Sequence, residues 1–130
     1  MQEVRALSPI GRSFSVEHFS EATVVRFIHP EMTGLDAAHA MELRLSRLAE
    51  GIGRRLLVLN FSGVPLLTSA LLGKLITLNT KVRKAGGLLT LCAIGSPLLA
   101  QLERTRLNTL FAIYASEQEA LEADVRGRIG

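Results

Sequence analysis

The chain has 130 residues, 48% of them hydrophobic, which gives one globular domain enough apolar material for a core; aromatics are only 5%, with no Trp, so Leu, Val, Ile and Ala must build it. Fifteen Lys and Arg against twelve Asp and Glu give a formal charge of +3, and the densest basic run, TKVRKAGG, lacks the interleaved aromatics that stack bases, which argues for a solvated basic face and against nucleic-acid binding. The stretch MQEVRALSPIGRS has no apolar h-region, and no segment offers about 18 uninterrupted apolar residues, so neither a secretory signal nor membrane insertion is expected.

Residues 1–13 hold Pro9 and Gly11 without clear periodicity and read as a tail or a short extra strand. FSVEHF (14–19) alternates with a two-residue period, and ATVVRFIH (22–29) is rich in β-branched residues. Ser20 and Glu21 leave room only for a tight hairpin between them. His29-Pro30 ends the second strand, because a residue before proline is pushed away from helix. Asp36 can cap AAHAMELRLSRLAEGIG (37–53), where Ala38, Met41, Leu45 and Leu48 share one helical face and Glu42, Arg44 and Arg47 lie outside it. Gly51 and Gly53 are its natural stops.

RLLVLNFSGV (55–64) is a near-continuous apolar run, the signature of a strand buried on both faces. The next helix is predicted over 69–85, with Leu72, Leu75, Ile76 and Val82 inward and Lys74, Lys81 and Lys84 outward. GLLTLCAIG (87–95) is another buried strand. Ser96 as N-cap and Pro97 at the first helical position open SPLLAQLERTRL. LFAIYA (110–115) is a last short strand, and Ser116 caps EQEALEAD (117–124) with Glu119 completing a capping box. The order β-β-α-β-α-β-α-β-α gives an α/β fold, a mostly parallel sheet with the first hairpin adding an antiparallel edge strand. The expected organisation is a single domain over 14–124, preceded by residues 1–13 and followed by a C-terminal tail, 125–130.

In such a sheet the functional surface lies at the carboxyl ends of the strands, which directs attention to PLLTSALLG. A phosphate on Thr68 or Ser69 would meet the unpartnered first amides of the following helix. Equally, either hydroxyl can serve as a plain N-cap, worth about 1 kcal/mol. Other chemistry is not encoded. Gly73-Lys74 lacks the glycine-rich lead and the following Ser/Thr of a Walker A loop, and no G-x-G-x-x-G follows a strand. His18, His29 and His39 show no metal-ligand spacing. Cys92, the one cysteine, cannot form an internal disulfide and sits mid-strand as a small hydrophobe, which fits a reducing compartment. Asn60, Ser62 and Thr68 offer no acidic cluster of the kind a receiver domain needs, and no Gly-x-Ser-x-Gly elbow exists. No catalytic residue, metal site or cofactor is expected, and the chain reads as a cytoplasmic, non-enzymatic protein.

LLVLNFSGVPLLTSALLGKL (56–75) resembles the STAS family's buried strand, its D-L-S-G-V, and the D-S-S-G-L-G that opens a helix. KVRKAGGLLTLCAIGSPLLAQLERTRLNTLFAIYASEQEAL (81–121) is similar to the family's downstream half, and GLDAAHA (34–40) to its Gly-x-Leu-Asp. The likeness covers about residues 14–122. It implies an anti-sigma factor antagonist that binds a serine-kinase anti-sigma factor of the GHKL type. Phosphorylation at the helix start releases the kinase, and a PP2C-type phosphatase restores binding. Anchored on Gly73, Thr68 replaces the family's acidic residue, Ser69 keeps its first serine, and Ala70 replaces the second, the usual acceptor. Leu71 stands where glycine is frequent, and Asn60 where the strand commonly has Asp. The resemblance therefore makes Ser69 the phosphoacceptor, with Thr68 as runner-up, and Thr68, Ser69, Ala70, Leu71 and Lys74 the partner-binding residues. Leu71 and Leu78 are expected to be exposed for docking. The alternative is a STAS module that is not phosphorylated, serving as a scaffold or as a subunit of a transport or lipid-trafficking complex.

Overall fold

The computed structural model describes residues 14–19, 22–27, 43, 45–48, 51 and 56–129. Five strands form one sheet in the order β1 (Phe14–His18), β2 (Ala22–Phe27), β3 (Leu56–Asn60), β4 (Leu88–Cys92), β5 (Ala112–Tyr114). β1 pairs antiparallel with β2, and every later neighbour pair is parallel. The helices whose bounds are described are α1 (Ser69–Lys84), α2 (Ser96–Arg104) and α3 (Glu117–Ile129), and a 3-10 turn, Leu107–Thr109, leads into β5. The α/β architecture expected from the sequence is therefore present. Helical residues 43, 45–48 and 51 lie in the segment expected to be helical.

Alternation along the strands divides the core between the two faces of the sheet. One face carries Val16, Val25, Leu57, Leu59, Leu89 and Leu91, which pack with Leu71, Leu75 and Val82 of α1 and Leu98 and Leu102 of α2. The other carries Ala22, Val24, Leu56, Val58 and Cys92, packed with Ala120 of α3. β3 is the strand buried on both faces, as its apolar run predicted.

The double glycine after α1 has a specific purpose. Gly86 sits at φ 88°, a left-handed conformation that glycine adopts without the Cβ penalty. Its N–H bonds the Arg83 carbonyl at 2.9 Å and the Gly87 N–H bonds the Val82 carbonyl at 2.9 Å. This pair of bonds is a Schellman ending, which satisfies carbonyls that the helix leaves unpaired.

Several expectations are corrected. Ile76, expected inward, is 42% exposed, whereas Leu71 and Leu78, expected outward, are buried. The inward set is Leu71, Leu72, Leu75, Leu78, Asn79 and Val82, a stripe rotated from the one read off the sequence. Lys81 is only partly outward, since it donates to the Ser46 hydroxyl at 3.0 Å. The N-cap of α2 is Gly95, one residue before Ser96, a shift within the usual fraying of helix ends. Gly51 is itself helical. β5 is only three residues long, because Leu110 still belongs to the turn after 107–109, its N–H bonding the Leu107 carbonyl at 3.0 Å, and Phe111 and Ala115 are bends. Helix α3 runs to Ile129 and takes in most of the expected tail. The Ser116 hydroxyl does cap it, accepting from the Glu119 N–H at 3.2 Å, but the Glu119 carboxylate reaches Ala115 N–H at 3.3 Å, where a capping box would have Ser116 N–H. The readings made for residues 1–13, Ser20 and Glu21, His29-Pro30, Gly34–Ala40, Met41, Glu42, Arg44 and Gly53 lie outside the described residues.

Candidate functional site at the carboxyl edge of the sheet

The strands follow one another across the sheet without a reversal of order. A doubly wound sheet forms its ligand crevice where that order reverses, so this topology builds none. The carboxyl edge instead presents the loop from β3 to α1. A shallow depression there is lined by Ser62, Gly63, Val64, Pro65, Ala93, Gly95 and Pro97. Such a surface suits docking against another protein better than enclosing a small molecule.

The loop is held at both ends. Phe61 is buried, its ring stacks on Phe27 at 4.9 Å between centroids, and its N–H bonds the Cys92 carbonyl at 3.0 Å. The Val64 N–H returns to the Phe61 carbonyl at 2.9 Å, with Gly63 at φ 83°. A tight turn with positive φ at its third residue is type II, which explains the glycine. Further on, the Gln101 side chain from α2 grips Leu67 twice: its amide nitrogen donates to the Leu67 carbonyl at 2.7 Å, and its oxygen accepts from the Leu67 N–H at 3.0 Å. Val64 and Leu67 point into the core, whereas Pro65 and Leu66 point outward, Leu66 at 51% exposure.

Thr68 then caps α1, its hydroxyl accepting from the Leu71 N–H at 3.2 Å. The two hydroxyls are thus distinguished. Thr68 is half-buried and committed to the cap; Ser69 is the first helical residue, exposed, and among the described residues its hydroxyl makes no hydrogen bond. No acidic residue occupies the first turn of α1. Ala70 is half-buried against the core and Lys74 is half-buried. Leu71, expected in the docking surface, is 0% exposed and belongs to the core. The outward strip of α1 is Ser69, Gly73, Ile76, Thr77 and Thr80.

A polar cluster that sequence reasoning missed lies on the other face of the same edge. Register places Arg26, Asn60, Cys92 and Tyr114 in one row across the sheet. Glu117, from the first turn of α3, accepts from Arg26 Nε at 2.7 Å and Nη2 at 2.8 Å and from Asn60 Nδ2 at 2.5 Å. Arg26 Nη1 also donates to Glu17 at 2.8 Å. The bidentate Arg26 contact, followed by the Asn60 amide, holds the Glu117 carboxyl below its ordinary 4.5, although burial opposes this. Burial pushes the Cys92 thiol up to about 11, with the Glu117 charge adding to it, so the thiol stays protonated at neutral pH. These partners are separated by 57 and 91 residues in the chain, so no local pattern could have announced them. Among the described residues no group of three His, Cys, Asp or Glu is placed to hold a metal ion, and no helix is long and apolar enough to cross a membrane.

A five-stranded mixed sheet, its first strand antiparallel and the β3–α1 loop at its carboxyl edge, defines the class of molecule. The sequence matches the STAS domain over residues 13–120, and the chain belongs to that family. The fold is similar to that of an anti-sigma-factor antagonist (STAS) domain protein from Planctomyces limnophilus, with a TM-score of 0.77 at 19% identity over 85% of this chain and 96% of that one. An anti-sigma factor antagonist from Mycobacterium paratuberculosis gives a TM-score of 0.70 at 24% identity over 89% and 96%. The anti-sigma factor antagonist SpoIIAA in its unphosphorylated form gives 0.61 at 18% over 88% and 98%. No curated protein is significantly similar to the chain in sequence.

Proposed function

We propose that this protein is a cytoplasmic anti-sigma factor antagonist, acting by binding and not by catalysis, and switched by phosphorylation of Ser69. The observation that carries the reading is the exposed, unbonded Ser69 hydroxyl at the first position of α1, beside a Thr68 hydroxyl already used as the cap. A phosphate there meets the unpartnered amides and positive end of a 16-residue helix, worth about 0.3–1 kcal/mol in exposed settings, so modification leaves the fold intact. The partner is a GHKL-type serine kinase anti-sigma factor, with a PP2C-type phosphatase reversing the modification. Phosphate adds bulk and charge that a surface shaped for a neutral hydroxyl has to desolvate, which weakens the complex.

Incubation with the kinase and ATP, followed by mass-spectrometric mapping, tests this. Wild type and Thr68→Ala should accept phosphate, the latter at a cost of about 1 kcal/mol in stability for the lost cap. Ser69→Ala should bind the kinase and refuse phosphate, and Ser69→Asp should fold but bind weakly. Phosphate on Thr68 alone would move the site by one residue. Ala70 at the usual acceptor position favours the second reading, a STAS interaction module without a switch, and absence of phosphate from both hydroxyls would select it.

Gly73 supports the docking strip independently of phosphorylation. It lies one turn beyond Ser69, and a Cβ added to it would meet nothing within 4 Å. Glycine inside an exposed helix costs about 0.5–1 kcal/mol relative to alanine, and nothing within the described chain requires it. On the docking reading, a partner backbone approaching closely would use the space of the missing Cβ. Gly73→Ala should therefore raise stability by about that amount in urea titration while lowering affinity for the kinase; unchanged affinity would take Gly73 out of the interface.

A further inference from the structure

We infer that Glu117 is a positioning residue, through which α3 latches the Ser62–Gly63 turn at the edge of the docking surface. The Asn60 amide is the link, since both of its ends are used. Its nitrogen donates to Glu117 at 2.5 Å and its oxygen accepts from the Ser62 N–H at 2.8 Å. This fixes the orientation of the amide and makes it a bridge between the first turn of α3 and the first residue of the turn. Arg26 completes the latch by gripping both Glu117 oxygens while Glu17 holds its remaining nitrogen. Ser62 and Gly63 line the depression at the carboxyl edge. Whatever grips or frees α3 therefore alters the loop without touching it.

The charges are matched in a way that specifies Asn at 60. An aspartate would set a second carboxylate against Glu117 at hydrogen-bonding distance, and two carboxylates so close cannot both ionise without penalty. The consequence for partner binding rests on the docking reading above; the link between α3 and the turn does not.

Three variants test the latch without any partner: Glu117→Gln, Asn60→Asp, and the two combined. The groups facing Glu117 are Arg26 of β2, with Glu17 of β1 behind it, Asn60 of β3 and Cys92 of β4. In the wild type the Glu117 carboxyl is depressed on folding, so its stabilisation is present above the ordinary carboxyl range and is lost as pH falls through the folded value. In Asn60→Asp one of the two carboxyls is raised on folding, so stability from the pair is present at low pH and lost as pH rises. The slope in the acid range should reverse. In the double variant the second carboxylate is gone and the nearby Arg26 charge favours the ionised form of the new one, which should restore the wild-type sign. An aspartate at 60 keeps an oxygen for the Ser62 N–H. Amide exchange at Ser62 and Val64 should therefore quicken, by about tenfold, through the repulsion that turns the new carboxylate away from Glu117, and should return in the double variant, where that repulsion is gone. If either single variant loosens α3 while exchange at residues 62–64 stays unchanged, or if the double variant shows no rescue, the cluster is only a clamp on the helix and the inference fails. Neither result depends on where, or whether, the protein is phosphorylated.

Discussion

Leu71→Ala should destabilise the protein by about 2–5 kcal/mol, the range for removing a fully buried leucine from a packed core. Leu71 is 0% exposed and packs in the cluster that joins α1 and α2 to β2, β3 and β4. Truncation removes the transfer free energy of the lost carbons and leaves a space that neighbouring leucines fill only in part. Small domains are stable by about 5–15 kcal/mol in total, so this one change removes a large fraction of the margin. Urea titration should show a lower midpoint at an unchanged slope. Leu71→Glu should not fold, because a carboxylate there has no partner to offset its desolvation. Loss of partner binding in that variant would report unfolding and carry no information about docking. An unfolding free energy for Leu71→Ala within about 0.5 kcal/mol of wild type, the usual range for a surface change, would contradict the burial.

The residue that tests docking from this helix is Ile76. It is 42% exposed and shares the outward strip with Ser69 and Gly73. Leu66 on the preceding loop is also exposed, at 51%, and polar side chains at positions 69, 77 and 80 share the outward face of α1 with Ile76. Apolar anchors ringed by polar groups are the usual anatomy of a specific interface. On the docking reading proposed above, Ile76 contacts the partner, whereas Leu71 only holds the helix against the sheet.

The same helix shows what the sequence could and could not reveal. The alternation in β1, the apolar run of β3 and the double glycine after α1 each carry a local physical cause, and each appears in the structure where that cause puts it. The helical period of residues 69–84 was legible too, but its phase was not. With Leu at 71, 72, 75 and 78 and Ile at 76, two stripes about one residue apart are almost equally apolar. Only the sheet against which the helix lies chooses between them. The site divides in the same way. A strand-to-helix turn with two hydroxyls can be read locally, and so can the possibility that one of them is a cap. Which hydroxyl caps depends on where the helix begins, and the residue just before the cap, Leu67, is held by Gln101 of α2, 34 residues away in the chain. Arg26, Asn60 and Glu117 meet only because β2, β3 and α3 are brought together by the fold, and no spacing rule relates them.

The grip on Leu67 makes the second large effect predictable. Gln101→Leu should cost about 2 kcal/mol, since it keeps a similar volume but leaves both the Leu67 N–H and its carbonyl without their partner, at roughly 1 kcal/mol each. Leu67 is largely buried, so water replaces the lost bonds only in part. The consequences should reach beyond stability. Leu67 precedes the capping residue directly, and its orientation sets that of the Thr68 hydroxyl toward the Leu71 N–H. Amide exchange at Leu67 and Leu71 should therefore quicken, while exchange in the strands should follow only the global loss. Gln101→Glu separates the two bonds. An ionised carboxylate still accepts from the Leu67 N–H but opposes its carbonyl with negative charge, whereas the protonated acid can accept and donate as the amide does. A carboxyl in this setting is raised on folding, so the stability it contributes is present below the ordinary carboxyl range and is lost as pH rises through the folded value. Gln101→Glu should accordingly approach wild-type stability on acidification and fall toward Gln101→Leu near neutrality. Gln101→Leu with wild-type stability and unaltered exchange at Leu67 and Leu71 would show that the loop holds the helix start without help from α2.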